Sequence, residues 1–270
     1  MNRSTLLALI SFTLLGCGTR QRNVEPTASW MLPLKSSWTL QSPGKLYSIR
    51  TDASIKENGE DSLRFEVRSG EAWRDASLTK SFRAEVATKT FPPSKSKQWY
   101  SFSVFLPADF PIENNRFVFA QWHGENMEDH GQPSRSPPLA FRFRKGKLTI
   151  DIRHSDAEVI PDPDAVPTEV LLESKDFTLG QWHDFVVEAK WSYAEDGLVN
   201  VWWNSRQVVS YRGPVGYREK VGPQFKFGIY RNDSTRTYTA YFNHVKEGAV
   251  PADVDFSPQN RTEPGKPNEP

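Results

Sequence analysis

Cysteine is almost missing from this 270-residue chain, occurring once, at Cys17. A lone thiol excludes an intramolecular disulfide framework, so packing has to supply the stability. An excess of charge of one sign is missing too. The 34 basic and 33 acidic side chains leave a formal net charge of +1. That balance excludes a general affinity for polyanions, nucleic acid included, and requires any basic site to be local. The apolar stretch Leu6–Leu15 is too short to cross a bilayer comfortably. No long amphipathic helix is written into the sequence, and no repeat of fixed period points to a propeller.

What the chain has in quantity is aromatic surface: 13% of its residues, nine of them Trp. Such a composition suits a large β core and equally suits stacking on sugar rings. Short alternating segments are separated by Gly, Pro, Asn and Asp. In SLRFEVR, Leu63, Phe65 and Val67 share one face; in FRAEV, Phe82, Ala84 and Val86 oppose Arg83 and Glu85. LAFRFRKGKLTIDIRH reads as a hairpin that sends Phe141 and Phe143 inward, turns at Lys145–Lys147 and returns through Ile150 and Ile152. VNVWWNSRQVVSYRG reads as a second hairpin turning near Asn204–Arg206. The expected fold is all-β, an antiparallel β-sandwich of the jelly-roll, concanavalin-like kind with a concave cleft.

The tripeptide Gln-Trp-His occurs twice, at Gln121–His123 and Gln181–His183. The second copy starts a strand on which His183 shares parity with Phe185, Val187, Ala189 and Trp191, an apolar face. That placement predicts a structural histidine. The first copy ends a strand and runs into Gly124 and a polar loop, with Gln121 and His123 facing together. Phe117 and Phe119 have the same parity, so either the strand is buried on both faces or a bulge changes its phase. In QFKFGIYR, Lys226 and Tyr230 lie opposite the row Phe225, Phe227 and Ile229. Three strands thus each present a polar pair opposite an apolar row. Side by side, they would gather Arg83, Glu85, Gln121, His123, Lys226 and Tyr230 in one cleft.

Two resemblances follow from these residues. The basic start, the apolar stretch and Leu14-Leu15-Gly16-Cys17 resemble the lipobox of bacterial lipoproteins. This implies a signal peptide over 1–17 and an acylated Cys17 in the bacterial cell envelope. Gly18 after the cysteine leans towards the outer membrane. A polar tether over 18–29, one domain over 30–257 and a disordered tail over 258–270 complete the expected organisation. The second resemblance is to the jelly-roll polysaccharide lyases. Arg83-x-Glu85, Gln121-x-His123 and Lys226-x-Gly228-x-Tyr230 follow the order of the alginate lyases. QWHG at Gln121–Gly124, RSPP at Arg135–Pro138 and FGIYR at Phe227–Arg231 are similar to the heparin-lyase and glucuronan-lyase type.

That resemblance implies β-elimination from a polysaccharide containing uronic acid. Removing the C5 proton requires donors that neutralise the neighbouring carboxylate and stabilise the enolate-like dianion. Gln121 and Arg83 suit that task, with Lys226 as a third contributor. A base must take H5 and an acid must protonate the leaving O4. Tyr230 fits the acid, and the base as well; His123 fits the alternative base, or an organiser of the carboxylate and tyrosine. In glucuronate and mannuronate H5 and O4 lie on one side of the ring, so one tyrosine can serve both roles. In iduronate and guluronate they lie on opposite sides, which requires His123 and Tyr230 to flank the sugar.

Substrate contacts are expected from Glu85, Arg116, Arg142, Arg144 and Arg231. The chemistry requires no cofactor. A calcium ion on Glu125, Glu128 and Asp129 is the one metal the loop invites, without EF-hand spacing. Two other functions fit the same sandwich. A glycoside hydrolase needs two facing carboxylates, but its Glu-x-Asp-x-Glu strand is absent. A non-catalytic carbohydrate-binding lipoprotein explains the aromatics but not the ordered polar set.

Overall fold

The computed structural model describes residues 38–256, apart from 76, 77, 79, 90, 126 and 128–130. The expected signal peptide, Cys17, the tether and the tail lie outside the described residues, as do Glu128 and Asp129. In chain order the strands are β1 (Trp38–Gln41), β2 (Ile49–Glu57), β3 (Glu60–Val67), β4 (Trp73–Arg74), β5 (Lys80–Thr88), β6 (Lys97–Phe105), β7 (Phe117–His123), β8 (Leu139–Arg144) and β9 (Lys147–Ile152). They continue as β10 (His154–Ser155), β11 (Glu169–Ser174), β12 (Trp182–Lys190), β13 (Leu198–Trp203), β14 (Arg206–Arg212), β15 (Gly216–Tyr217), β16 (Gln224–Arg231) and β17 (Tyr238–Gly248).

Two large antiparallel sheets result. The first runs β1-β5-β16-β7-β8-β9-β11, with β4 paired to β5; the second runs β14-β13-β12-β6-β17-β3-β2. In each sheet hairpin neighbours alternate with strands distant in sequence, such as β5-β16-β7 and β12-β6-β17-β3, the crossing pattern of a jelly roll. Both expected hairpin turns form. Lys145 and Gly146, and likewise Asn204 and Ser205, take consecutive positive φ values, as two-residue type I′ turns require.

The inner faces meet in one aromatic core. Phe65, Phe102, Phe185 and Phe242 of the second sheet pack on Phe119, Trp122, Phe141, Phe225 and Phe227 of the first. The rings meet mainly edge to face, as in Phe102–Phe141 at 5.7 Å and Phe65–Phe227 at 5.6 Å. Each such ring contributes on the order of 1.5–3 kcal/mol by leaving water. The opposite face of the first sheet is left for polar side chains, and the functional groove forms there.

The phase conflict on β7 is resolved by a bulge. Ala120 pairs with Phe227 but Val118 pairs with Tyr230, leaving Gly228 and Ile229 opposite Phe119 alone. Against β8, Val118 pairs with Arg142 and Ala120 with Phe141, so Phe119 is extra there. Phe117, Phe119, Ala120 and Trp122 therefore all reach the core, while Val118, Gln121 and His123 line the groove. Gly228 makes the matching irregularity possible. Its φ is +130°, and a Cβ there would collide with the Ala84 carbonyl oxygen and lie 2.8 Å from the Phe65 ring. The glycine serves sheet packing, not access to the cleft. Gly228→Ala is expected to lower unfolding free energy by roughly 2–4 kcal/mol, from backbone strain and overpacking together. Urea unfolding followed by tryptophan fluorescence measures it.

Candidate active site

β1, β5, β16, β7 and β8 are consecutive neighbours in the first sheet, so residues up to 185 positions apart converge. A groove of about 680 Å³ crosses their outer face. Arg83, Arg116, Gln121, His123, Arg142, Arg144 and Tyr230 all line it. Of the expected site residues, Lys226 and Glu85 sit beneath its floor, 5% and 1% exposed.

The floor is a buried charge cluster. Gln121 Nε2 donates to Glu85 Oε1 at 2.5 Å, and Arg83 Nη1 lies 3.4 Å from Glu85 Oε2. Burial pushes the Glu85 carboxyl up, while Arg83, Lys226, Gln121 and Arg116 pull it down. Burial pushes the Lys226 ammonium down to about 8, against the attraction of Glu85. Three cations, two of them lining the groove, thus surround one carboxylate and leave positive charge in surplus there. The expectation that Glu85 touches substrate is corrected: it is a fixed counter-charge below the surface.

His123 is neutral. Burial first, then the charges of Lys226 and Arg83, push its imidazole down to about 3. Its Nδ1 lies 3.1 Å from the Gly124 carbonyl oxygen. A carbonyl can accept but not donate, so Nδ1 carries the proton and Nε2 keeps its lone pair. Tyr230 is held between two guanidinium groups. Arg116 Nη2 donates to its hydroxyl at 3.0 Å, and the Arg83 and Arg116 carbons lie 4.2 and 4.5 Å from its ring centre. Arg142 is fixed by a bidentate pair with Asp151, at 2.6 and 3.2 Å, whereas Arg144 is exposed at the groove wall.

Arg231 is placed differently from expectation. It follows Phe225, Phe227 and Ile229 on the core side, is 1% exposed, and donates to the carbonyls of Val67, Arg68, Asn232, Ser234 and Arg236. It ties β16 to neighbouring loops and does not reach the groove. Among the described residues no cluster of three or more His, Cys, Asp or Glu is placed to hold a metal ion; of the loop carboxylates proposed for calcium, Glu125 alone is described.

Sequence reasoning missed Gln41, Trp73, Asp151 and Arg153. Gln41 Oε1 accepts from Arg83 Nη1 at 3.0 Å and from Lys226 Nζ at 3.4 Å. Trp73 lies 5.3 Å from the Arg83 guanidinium carbon. Asp151 was legible, since Ile150 and Ile152 point inward on the same strand and leave it outward. Gln41 sits on a four-residue strand with too little alternation to read.

The second Gln-Trp-His is structural. His183 is 1% exposed, stacks on Phe177 at 4.0 Å and accepts from Trp203 Nε1 at 3.1 Å through Nδ1. Its Nε2 then donates to the Thr178 carbonyl at 2.8 Å. His183→Ala is expected to cost roughly 2–4 kcal/mol, because it orphans a buried indole N–H and leaves a cavity. Thermal unfolding measures the loss.

Fold and groove define a jelly roll with a neutral imidazole and a cation-clamped tyrosine above surplus positive charge. Residues 32–246 match the family described as polysaccharide lyase, and the chain belongs to that family. A heparin lyase I from Pedobacter heparinus is 28% identical over a match covering 34% of this chain and 32% of that protein. The match thus spans about a third of that relative's length. Among solved structures, an endo-β-1,4-glucuronan lyase from Trichoderma reesei superposes with a TM-score of 0.67 and 16% identity, over 82% of this chain and 94% of that one. The family-7 alginate lyase A1-II′ gives a TM-score of 0.56 and 15% identity, over 79% and 94%. At these identities the structural likeness establishes the jelly-roll fold.

Proposed function

We propose that this protein cleaves a uronic-acid polysaccharide by β-elimination in the groove of the first sheet. One observation carries the reading: an imidazole whose Nε2 keeps its lone pair and a tyrosine hydroxyl line the same groove, over a floor with more positive than negative charge. A uronate carboxylate fits the surplus. Arg83 lines the groove to meet it, the buried Gln121 lies beside it with its amide on Glu85, and Lys226 adds its charge from below. Neutralising that carboxylate makes the C5 proton removable, because the developing dianion then lies among preorganised donors.

The proton leaves through a base in this groove, and O4 departs as it is protonated, so that the C4–O4 bond breaks and a C4=C5 double bond forms. Tyr230 supplies the proton to O4, with Arg116 steadying the phenol oxygen before and after transfer. His123 Nε2 takes H5 where H5 and O4 lie on opposite sides of the ring. Where they lie on one side, Tyr230 performs both steps and His123 orients it. A variant of the alginate lyase A1-II′ with one histidine and one tyrosine replaced was crystallised with substrate, which supports pairing these residue types. Anchorage in the bacterial envelope through an acylated Cys17 belongs to the same proposal.

Incubation with glucuronan, alginate and heparin should raise ultraviolet absorbance from the unsaturated product on at least one polymer. Reducing ends without that absorbance would indicate hydrolysis, and retention without cleavage a binding protein. Tyr230→Phe should lower turnover by at least about 100-fold with substrate binding retained; a rate near wild type removes the phenol from the mechanism.

The floor also sets a pH limit. Lys226 is charged below about 8 and loses its charge as pH rises through that value. The rate should therefore fall on the alkaline side near pH 8. His123, neutral above about 3, imposes no limit near the ordinary histidine range. In Lys226→Arg the alkaline fall should move upward, because a guanidinium keeps its charge. A pH–rate profile of kcat/KM for both proteins decides it.

A further inference from the structure

The Gly124 carbonyl assigns the tautomer of His123, and the groups behind that carbonyl strengthen its hold. The carbonyl that accepts from His123 Nδ1 belongs to the Gly124–Glu125 peptide. The N–H of that same peptide, on Glu125, donates to the carboxylate of Glu219. Glu219 in turn is paired with Arg135, whose Nη1 lies 3.1 Å from Oε1. Both side chains are almost fully buried, at 2% and 6% exposure. Arg135 Nη2 also donates to Gln132 Oε1 at 3.0 Å and to the Glu158 carbonyl at 3.1 Å, so the pair is anchored on two sides.

Gly124 is what lets this carboxylate approach. A Cβ there would fall within the Glu219 carboxylate, 2.7 Å from Oε1. The space a side chain would fill is taken by a negative charge, directly against the peptide plane that touches the base. A carboxylate accepting from a peptide N–H polarises the amide and makes its oxygen a stronger acceptor. The effect reaches His123 Nδ1–H one bond further on.

We propose that Glu219 is the positioning residue of the general base, acting through the Gly124–Glu125 peptide to hold His123 in its Nδ1–H tautomer. Burial pushes the Glu219 carboxyl up; Arg135 opposes that by favouring the charged form, and its ion pair holds the carboxylate in place. The arrangement does what a carboxylate does when it bonds an imidazole directly, with one peptide unit interposed. The inference rests on the lyase reading for its consequence in catalysis, but the tautomer itself is a property of the folded protein.

The test is imidazole nitrogen NMR on the uniformly 15N-labelled chain at neutral pH, with the His123 signals assigned by their loss in His123→Asn. Wild-type protein should show His123 as the Nδ1–H form. Glu219→Gln keeps the shape but removes the charge. It should shift His123 to a mixture of tautomers and lower kcat by about 10–100-fold with KM within about twofold. Should Glu219→Gln not fold, Glu125→Pro removes the N–H link without touching either charged side chain and should shift the tautomer in the same way. An Nε2–H tautomer in wild type, or an unchanged His123 spectrum in a folded variant, overturns the proposal. Because the spectrum is read without substrate, absence of turnover on every polymer would sink the lyase reading alone.

Discussion

Everything in the groove depends on a bulge of one residue. β7 must fill the core with four side chains, two of them in succession at Phe119 and Ala120. It must also deliver Gln121 and His123 to the opposite face. Strict alternation cannot do both, because a strand's side chains change sides at every residue. The unpaired Phe119 spends one residue to reset the phase, and Gly228 absorbs the matching irregularity on β16. Without that reset the imidazole would lie among the core rings.

The floor shows a second constraint. Burying charge costs several kcal/mol per ion unless partners compensate it. Here Glu85 is compensated by Arg83, Lys226 and Gln121, whereas the cations are left in surplus. Such a cluster is poorly matched in the free protein and better matched once an anion arrives. On the proposed reading, it stores affinity for a carboxylate in groups already held in place. The Gln41 amide oxygen, shared by Arg83 and Lys226, keeps those two like charges at fixed positions.

Much of this was legible in the sequence. Alternation identified the strands that carry Arg83, Gln121 and Tyr230, because each pairs a polar row with apolar neighbours that the core requires. The same logic separated the two Gln-Trp-His copies: His183 shares its face with Phe185 and Val187, and the structure buries it with them. Parity could not decide Phe119, since a bulge is a property of two paired strands and not of one. Residue type, not parity, misplaced Arg231: its side follows the apolar row of β16, but its guanidinium suggested solvent or substrate. Five backbone carbonyls accept from its Nη1 and Nη2 in the interior. Glu219 gave no signal at all, because its meaning depends on a peptide plane nearly one hundred residues earlier, in a loop.

The separation in sequence of the groove's parts bears on how the protein comes into being. Gln121 meets Glu85 across 36 positions, Arg116 meets Tyr230 across 114, and Gln41 meets Lys226 across 185. Contacts between such remote segments pay the entropy of closing long loops before they return any gain, which slows folding. A nascent chain has no groove until β16 has emerged and inserted between β5 and β7, the last of the three to be synthesised. Up to that moment Lys226 and Tyr230 are missing from the groove, and the charges on β5 remain in water.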